Sequence, residues 1–316
     1  MPQGNLPMST NDVKVHVLDM RSPDFIPNFI AACRRPGAVL LTNHGIPQEV
    51  IDAAYAEWMP EKGGFFALPD EVKKQFLYSD LSPKVNDPES GFYPFKSEKG
   101  SEHKDGNKGS VNLNEYYHIK TGIAGSYPTT GAFTATKLLA ELNYQLVAKL
   151  LTLLDAYGPS KDDAPFFGKL VESLSADKWS TFRILHYPPL PMPEDGSDEE
   201  QELIKVHKDK GCVTTVISPS ASGLAVEDPE NPDAPYMRAP HVAGSILFQI
   251  GEGLELMSKG FYKAGRHTVM GRPSKLQGHR TSMARFWHFT PETRLNADMT
   301  NGDMMRKYWE KKDLKV

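Results

Sequence analysis

Two segments of the chain place a histidine and an aspartate two residues apart, and both read His-Lys-Asp. They are residues 103–105 and 207–209. Side chains two positions apart on a β-strand point to the same face, so each segment can present an imidazole and a carboxylate to one metal ion. A third ligand must then come from a neighbouring strand, and this requirement separates the two segments.

The second segment meets this requirement. It directly precedes the apolar run CVTTVI, and His267 follows 60 residues after His207 at the start of the strand-like run RHTVM. Two imidazoles and one carboxylate on neighbouring strands form the facial triad that suits non-haem Fe(II) and leaves coordination positions open. We predict that His207, Asp209 and His267 ligate the metal. The first segment lies in a hydrophilic stretch with no histidine at a matching distance, and we interpret it as a solvated loop.

A candidate carboxylate anchor follows the last of these ligands. Arg280 comes 13 residues after His267, and Ser282 stands two residues further along the last predicted strand. The spacing puts both side chains on one face. A guanidinium pairs bidentately with a carboxylate and a hydroxyl adds a donor, so the two residues predict a carboxylate-binding site in the same barrel.

The strands that would position these residues begin at about residue 181. Short β-rich runs then alternate with Gly, Pro, Asn and Asp, and the runs are TFRILHY, CVTTVI, GLAVE, SILFQI, LELMS, RHTVM and TSMARFWHF. This number and spacing of strands indicates an antiparallel barrel or a double-sheet jelly roll.

The first part of the chain mixes strands and helices. Residues 13–19 and 38–42 have the patterns of strands, and the apolar residues of IPNFIAACRR between them have helical spacing. A second helix is predicted directly after Pro47. Both helices carry one apolar face and are expected to pack against the strands.

Three further segments complete the prediction. A leucine stripe from about 134 to 157 predicts the longest helix, with the stripe in the core. Residues 79–112 are polar with Pro and Gly at intervals, and we interpret them either as a solvated or mobile loop or as a loop that covers the substrate. The tail after Pro291 is expected to be a surface extension with one short helix.

Together these patterns predict a mostly β fold with additional helices. A double-stranded β-helix (jelly roll) core would occupy residues 181–290, flanked by N-terminal and central helices. Residues 1–130 would form the N-terminal helix and strand region with its covering loop, 131–180 the long support helix, and 291–316 a C-terminal extension. We expect one integrated catalytic unit rather than separate domains.

The composition narrows the classes of partner. The 316 residues carry 36 Lys and Arg against 40 Asp and Glu, a formal net charge of −4, with no long basic run. This balance offers no electrostatic surface for nucleic acid or an anionic membrane, and no obligate protein partner is evident. The two cysteines are too few for a disulfide framework or a cysteine-based zinc site. We therefore expect a cytoplasmic protein whose partner is a small-molecule substrate.

With these residues in place, the chain resembles the isopenicillin-N-synthase-like branch of the Fe(II)/2-oxoglutarate-dependent dioxygenases. That family's order of His-x-Asp, a distant His and then Arg-x-Ser is matched by His207, Asp209, His267, Arg280 and Ser282. Other segments between about residues 15 and 291 follow the family pattern as well. They are PGAVLLTNHGIPQEVID, FFALPDEVKKQF, GFYPF, RILHYPP and SILFQIGEGLELMSKGFYKAGRHTV.

The resemblance implies roles for the matched residues. The triad would hold Fe(II), and Arg280 and Ser282, with Tyr187 of RILHYPP, would bind the distal carboxylate of the cosubstrate 2-oxoglutarate. Oxygen would be the second cosubstrate, with ascorbate supportive in vitro. Many relatives carry Asn two residues before the tyrosine, where this chain has Leu185, so that polar contact is either missing or replaced.

The activity implied is oxidation of an unactivated C–H bond of a small molecule, with release of succinate and carbon dioxide. The outcome would be hydroxylation, desaturation or oxidative ring closure, which depends on how the substrate is placed. Among the candidate pocket residues, Lys205 should share the inward face of His207 and, with Arg183 and His118, attract an anionic group. This favours a carboxylate-bearing substrate such as an amino-acid derivative. The candidate substrate-binding residues are Phe92, Tyr93, Tyr116, Tyr117, His118, Lys205, Phe286 and Trp287.

Two alternatives remain open on the sequence alone. The Arg-x-Ser pair would equally serve an isopenicillin-N-synthase-type Fe(II) oxidase that uses no 2-oxoglutarate and grips its own substrate's carboxylate. A cupin-like protein that binds a metal or ligand without catalysis is the other. Succinate formation separates the enzyme with 2-oxoglutarate from both. His186, His279 and His288 are predicted to lie outside the site.

Overall fold

A computed structural model describes residues 14–97, 111–176 and 178–311. The His103-Lys104-Asp105 segment, with residues 98–110 of the predicted covering loop, lies outside the described residues.

The described residues contain thirteen strands and seven α-helices. The strands are β1 (His16–Asp19), β2 (Ala38–Thr42), β3 (Gly91–Tyr93), β4 (Glu115–Ile119), β5 (Leu174–Ser175), β6 (Thr181–Tyr187), β7 (Gln201–His207), β8 (Val213–Ile217), β9 (Leu224–Val226), β10 (Met237–Arg238), β11 (Ile246–Ile250), β12 (His267–Gly271) and β13 (Arg280–Phe289). The helices are α1 (Phe25–Arg34), α2 (Gln48–Ala56), α3 (Asp70–Lys73), α4 (Tyr78–Val85), α5 (Thr134–Ala156), α6 (Glu252–Met257) and α7 (Asn301–Lys311).

Two sheets form the centre of the molecule. The larger has nine strands in the order β1-β2-β11-β8-β13-β6-β4-β3, with β5 added beside β13, and the smaller has the order β10-β9-β12-β7. Side chains from the two sheets meet in an apolar cluster where Leu185 and Tyr187 of the larger sheet pack with Leu203 and Val269 of the smaller. The predicted jelly-roll core is confirmed, and its interior lies between these sheets.

The main hydrophobic core lies on the outer face of the larger sheet. Helix α5 covers this face with the predicted leucine stripe, including the fully buried Leu139, Leu150 and Leu154. Trp287 of β13 belongs to the same core and donates a hydrogen bond from Nε1 to Oγ1 of Thr215 (3.1 Å). The packed outer face fixes the strands whose inner faces form the cavity.

The expectation of a loop from residue 79 is wrong for residues 79–85 and 91–93, which belong to α4 and β3. Helix α4 is followed by its C-capping residue Asn86, which is left-handed with φ 52°, and then by β3. The polar composition concealed this structure because Asp87 and Glu89 are buried beside Lys120, whose Nζ lies 3.1 Å from Glu89 Oε2. Polar residues that pair with one another are compatible with a packed interior.

The run LELMS is also not a strand, because it forms most of α6. Glu252 and Glu255 lie in the first turn, where the helix dipole favours negative charge. Leu254 and Met257 are buried three positions apart on one face of this helix. The apolar residues thus have helical spacing, which the short run did not distinguish from a strand.

The C-terminal helix α7 packs against the rest of the protein. Met304 and Met305 are buried, and Trp309 lies with its ring 5.2 Å from that of Trp179. The tail after Pro291 is therefore more than a surface extension. Within the described ranges, no helix combines the length and the apolar character needed to cross a membrane.

Candidate metal centre and its cavity

The predicted triad comes together at one end of the space between the sheets. His267 of β12 lies directly opposite His207 of β7 in the register of the smaller sheet, and their ring centroids are 4.3 Å apart. Asp209 Oδ1 lies 3.5 Å from His207 Nε2 and 3.7 Å from His267 Nε2. One ligand atom from each residue can be chosen so that all lie within 4.8 Å of one another. This donor set of two nitrogens and one oxygen fits a non-haem iron site with open positions.

The surrounding hydrogen bonds orient the two imidazoles. His207 Nδ1 lies 2.7 Å from the backbone oxygen of Lys205, an acceptor that requires the proton on Nδ1 and leaves Nε2 as the ligand atom. His267 Nδ1 lies 2.7 Å from the side-chain amide of Gln249 and 3.4 Å from the backbone oxygen of Gly265. Burial and the nearby His207 lower the pKa of His267 to about 4, so the ring is in the neutral form that binds metal.

Asp209 lies just beyond the end of β7 and is held from two sides. Its Oδ2 accepts a 2.6 Å hydrogen bond from Thr214 Oγ1, and its backbone oxygen accepts one from the amide of Glu252. Burial alone would raise the pKa of Asp209, but the neighbouring His267 and His207 and the Thr214 hydroxyl outweigh it and hold the pKa well below its usual range. The carboxylate is therefore ionised and available as a ligand.

The chain can turn closely behind Asp209 because residue 211 is glycine. A Cβ there would lie 2.3 Å from the backbone oxygen of Trp287, nearer than any side chain tolerates. The amide of Cys212 donates to that same oxygen (2.6 Å). Gly211 thus allows the segment that carries Asp209 to attach to β13.

The predicted carboxylate anchor also lies in the cavity. Arg280 is 6% exposed, and its Nε donates to the backbone oxygens of Ala221 (3.3 Å) and Ser222 (3.2 Å). Its Nη1 is buried and has no hydrogen-bond partner among the residues that the structure describes. A buried guanidinium nitrogen without a partner is costly, and a carboxylate such as the distal one of 2-oxoglutarate would satisfy it.

Tyr187 lies beside this guanidinium, and Ser282 lines the same cavity. Arg280 pairs with Tyr187 in the register of β13 and β6, and its guanidinium carbon lies 4.6 Å from the centre of the tyrosine ring. Ser282 pairs with Leu185, and all four residues line the cavity. Leu185 is 5% exposed and packs in the apolar cluster, so it supplies no polar contact where many relatives have Asn.

Of the eight candidate substrate-binding residues, the structure brings only Phe286 to the cavity wall. Phe92, Tyr117 and Trp287 belong to the main core on the other face of the sheet. Adjacent residues on a strand point to opposite faces, so Phe286 and Trp287 cannot both face the cavity. Tyr93 and Tyr116 are buried in the cluster beside the cavity without lining it.

The prediction that Lys205 shares the inward face of His207 is wrong. Strand β7 contains a β-bulge. An advance of two residues on β12, from His267 to Val269, is paired with an advance of three residues on β7, from His207 to Ile204. The extra residue reverses the alternation, and Ile204 lines the cavity in place of Lys205. The Lys205 ammonium instead lies 2.7 Å from Glu202 Oε2.

Arg183 is a second guanidinium in the cavity wall. Its guanidinium carbon lies 4.3 Å from the ring centre of Tyr116 and 5.1 Å from that of Phe286. Its Nε donates a 2.6 Å hydrogen bond to Nε2 of His118. His118 is buried behind Arg183 and does not line the cavity itself.

Two residues that hold the ligands were not predicted from the sequence. Thr214 and Gln249 are polar residues in the apolar runs CVTTVI and SILFQI. A polar side chain within a buried, mostly apolar strand is the signal that could have identified them, because it needs a polar partner in the interior. His186, His279 and His288 lie outside the cavity lining, as expected.

The chain is similar to known proteins in sequence and in fold. Residues 178–289 match the family model of the 2OG-Fe(II) oxygenase superfamily, and residues 14–136 match the model described as non-haem dioxygenase in morphine synthesis N-terminal. Together the two matches cover most of the chain.

Individual relatives are similar over most of their length. Gibberellin 2-beta-dioxygenase 1 of Arabidopsis thaliana is 25% identical over 284 residues, 86% of this chain and 77% of the relative. The 2-oxoglutarate-Fe(II) type oxidoreductase hxnY of Emericella nidulans is 27% identical over 288 residues, 83% of this chain and 73% of the relative. The solved structure of a full-length Neurospora crassa protein in complex with alpha-KG superposes with a TM-score of 0.74 at 15% identity, covering 96% of this chain and 98% of the Neurospora chain.

Proposed function

The chain belongs to the 2OG-Fe(II) oxygenase superfamily, and we propose that this enzyme oxidises an unactivated C–H bond of a carboxylate-bearing small molecule. The isopenicillin-N-synthase-like branch is consistent with the two family matches. The observation that carries the proposal is one cavity lined by a convergent His-Asp-His triad, a buried guanidinium with an unsatisfied nitrogen, and a second guanidinium.

In this proposal His207, Asp209 and His267 hold Fe(II). With 2-oxoglutarate and oxygen, the iron would supply oxidation of the substrate C–H bond as 2-oxoglutarate is converted to succinate and carbon dioxide. The protein's contribution is to hold the ligands in place. The hydrogen bonds at the Nδ1 atom of each imidazole and from Thr214 to Asp209 support that arrangement.

Arg280 would bind the distal carboxylate of 2-oxoglutarate, with Ser282 and Tyr187 beside it. The buried setting strengthens this contact, because a charge pair is screened less away from water. Apolar wall residues, including Ile204, Leu185 and Val269, would exclude water from the reacting bond.

Arg183 supports the assignment of an anionic substrate. Arg183 and Tyr187 lie four residues apart on β6. Arg183 is paired with Ala284 of β13, and Tyr187 is paired with Arg280 of the same strand. At the rise of a β-strand, four residues span about 13 Å. One guanidinium can therefore serve the cosubstrate and the other a second carboxylate.

The test begins with succinate formation. Purified protein with Fe(II), 2-oxoglutarate, oxygen and ascorbate is assayed against a panel of carboxylate-bearing metabolites and their neutral amides. We expect at least one carboxylate to stimulate succinate formation above the rate without substrate, and its amide to be much less effective. A protein that binds iron but forms no succinate with any member of the panel would contradict the proposal.

The anchor is tested by Arg280→Lys, with Arg238→Lys as the matched control. Arg238 is on β10, where it pairs with Glu200 outside the cavity. An ammonium cannot reproduce the planar fork, so Arg280→Lys should raise the 2-oxoglutarate concentration for half-maximal succinate formation by about tenfold or more. Arg238→Lys should leave it unchanged. An unchanged requirement in Arg280→Lys would remove Arg280 from the cosubstrate site.

A further inference from the structure

A tyrosine hydroxyl from the N-terminal part of the chain joins two strands of the larger sheet close to Arg280. Tyr55 lies on α2 and is buried in the main core. Its Oη donates a hydrogen bond to the backbone oxygen of Ile217 (2.5 Å) and accepts one from the amide of Met283 (3.2 Å). Ile217 of β8 is paired with Met283 of β13, and this is the last pair of the two strands on the side of Arg280. The hydroxyl therefore bridges the strands at the point where their regular pairing ends.

Beyond this point the chain forms a bulged segment, residues 218–222. The step from Ile217 to Ser220 is three residues, whereas the step from Met283 to Thr281 is two. Ser220 and Thr281 are nevertheless bonded to each other. The amide of Ser220 donates to the backbone oxygen of Thr281 (3.0 Å), and the amide of Thr281 donates to Ser220 Oγ (2.9 Å). One extra residue on one strand of an antiparallel pair is the mark of a β-bulge.

The first residue of the bulged segment has an unusual backbone conformation. Ser218 has a φ of 31°, in the left-handed region that few residues other than glycine adopt. Its amide donates to the backbone oxygen of Ser245 (2.9 Å), and its Oγ accepts from the amide of Gly244 (2.8 Å). A strained residue keeps such a conformation only when its surroundings hold it there. The bulged segment is therefore fixed by contacts on both sides.

The bulged segment ends at the candidate carboxylate anchor. The backbone oxygens of Ala221 (3.3 Å) and Ser222 (3.2 Å) accept hydrogen bonds from Arg280 Nε. On its other side, the backbone of Arg280 is paired with Tyr187 of β6. Strand β6 thus places the backbone of the arginine, whereas the bulged segment orients its guanidinium.

We propose that Tyr55 is a positioning residue for the cosubstrate, which aligns Arg280 through the bulged segment. The inference rests on the proposed role of Arg280 and deepens it. Without the hydroxyl, β8 and β13 lose their bridge at the start of the bulged segment, in a buried region where polar backbone groups need partners. A shift of this segment moves the two carbonyls that hold Arg280 Nε. The guanidinium then loses the orientation that suits a bidentate contact with a carboxylate.

The hydroxyl is in the protonation state that this role requires. Burial raises the pKa of Tyr55, and the positive charge of Arg280 opposes this shift only in part. The phenol therefore keeps its proton at neutral pH and can donate to Ile217.

The test compares 2-oxoglutarate with 2-oxopentanoate, which has a methyl group in place of the distal carboxylate. Each is titrated by calorimetry into protein loaded with Fe(II) without oxygen. We expect the unaltered protein to bind 2-oxoglutarate at least about tenfold more tightly. Tyr55→Phe should reduce this preference by about three- to tenfold, the equivalent of one hydrogen bond, because 2-oxoglutarate alone is weakened. The affinities for 2-oxopentanoate and for Fe(II) should be unchanged.

The matched control is Tyr262→Phe. Tyr262 is also buried, and its Oη donates to the backbone oxygen of Leu154 on α5 (2.8 Å), outside the cavity lining. This variant loses the same kind of hydrogen bond from a tyrosine hydroxyl to a backbone carbonyl. Its thermal unfolding temperature should fall, and its preference for 2-oxoglutarate should equal that of the unaltered protein. The comparison separates positioning from a general loss of stability.

A second variant reaches the bulged segment without changing Tyr55. Ser220→Ala removes the acceptor of the Thr281 amide while keeping the backbone of the segment. It should also reduce the preference for 2-oxoglutarate and leave the affinity for 2-oxopentanoate unchanged. This variant decides the question if Tyr55→Phe does not fold.

The outcomes distinguish this inference from the proposed function. A full preference for 2-oxoglutarate in folded Tyr55→Phe or in Ser220→Ala would overturn the positioning role. Equal weakening of both ligands in these variants, or an equal loss of preference in Tyr262→Phe, would overturn it as well. Equal binding of the two ligands by the unaltered protein would overturn the role of Arg280 and this inference with it. Failure of the proposed function is seen separately, in the succinate assay, because the binding test requires no substrate.

Discussion

Two sets of two imidazoles and one carboxylate can be compared among the residues that the structure describes, and one of the two has the geometry of a metal site. The inner set is His207, His267 and Asp209. The outer set is His186, His279 and Glu115, close to the start of the strand that carries Arg280. In the inner set the carboxylate oxygen stands 3.5 and 3.7 Å from the two ligand nitrogens, so the three atoms surround a common point.

The outer set is a hydrogen-bonded chain instead. His186 Nδ1 lies 2.8 Å from Glu115 Oε1, and His186 Nε2 lies 2.8 Å from His279 Nδ1. Lys73 Nζ also lies 2.9 Å from Glu115 Oε2. Each of these polar groups is engaged with the next one, so their ligand atoms do not converge.

The difference shows that residue types alone do not make a metal site. Among the residues that the structure describes, the inner triad is the one group of three or more potential ligands that converges. Hydrogen bonds with a backbone carbonyl, a side-chain amide and a hydroxyl help to orient these ligands without replacing the metal. The outer set stabilises the packing of β4, β6 and the helix that carries Lys73.

The largest expected effect is loss of the inner site. His207→Ala removes one of three ligands, and Fe(II) binding and succinate formation should both be lost, because the two remaining ligands cannot retain the ion. Anaerobic metal titration and the succinate assay measure the two effects. His103→Ala, in the duplicate His-Lys-Asp segment, is the sequence-matched control and should retain both. Loss of iron binding in His103→Ala would show that the duplicate segment takes part in the site.

The inner triad could be predicted from the sequence because the spacing of its residues along the chain is itself the identifying pattern. A His-x-Asp pair, a distant histidine and an Arg-x-Ser pair are each visible as spacing, and the strands around them have regular apolar patterns. The jelly-roll core and helix α5 were predictable for the same reason. The structure brings together His207, Asp209, His267, Arg280, Ser282 and Tyr187 in one cavity.

The features that the sequence did not predict depend on contacts distant in the chain. The bulge in β7 that turns Lys205 out of the cavity is invisible in QELIKVH, because alternation is the expected pattern of any strand. The hydrogen bond between His118 and Arg183 joins residues 65 positions apart. The helical character of LELMS was hidden because a run of that length suits either structure.

A smaller effect is expected from the hydroxyl that orients Asp209. Thr214→Val removes the 2.6 Å hydrogen bond to Asp209 Oδ2 while preserving the shape of the side chain. Loss of such a supporting contact should weaken Fe(II) binding by about tenfold. The measurement is an anaerobic Fe(II) titration of the purified variant.

The matched control is the neighbouring Thr215→Val. Thr215 is also buried and donates a 2.9 Å hydrogen bond to Asn143 Oδ1 of α5, on the opposite face of the strand. It should lower stability and leave Fe(II) affinity unchanged. Equal weakening of Fe(II) binding in the two variants would mean that general loosening of β8, rather than the contact with Asp209, controls the affinity.

The smallest effect on the metal is expected from a change in the outer set. Glu115→Gln removes the charge that faces Lys73 but keeps the shape of the side chain, and both residues are almost completely buried. The change should lower the free energy of unfolding by about 1.5–3 kcal/mol, the range for a hydrogen bond to a charged group. Asp70, 3.1 Å from Lys73 Nζ, offsets part of this loss. Urea denaturation measures the stability, and anaerobic titration should find unchanged Fe(II) affinity. Weaker iron binding in a folded Glu115→Gln would mean that the two faces of the sheet are coupled, and that the outer set supports the metal centre as well as the fold.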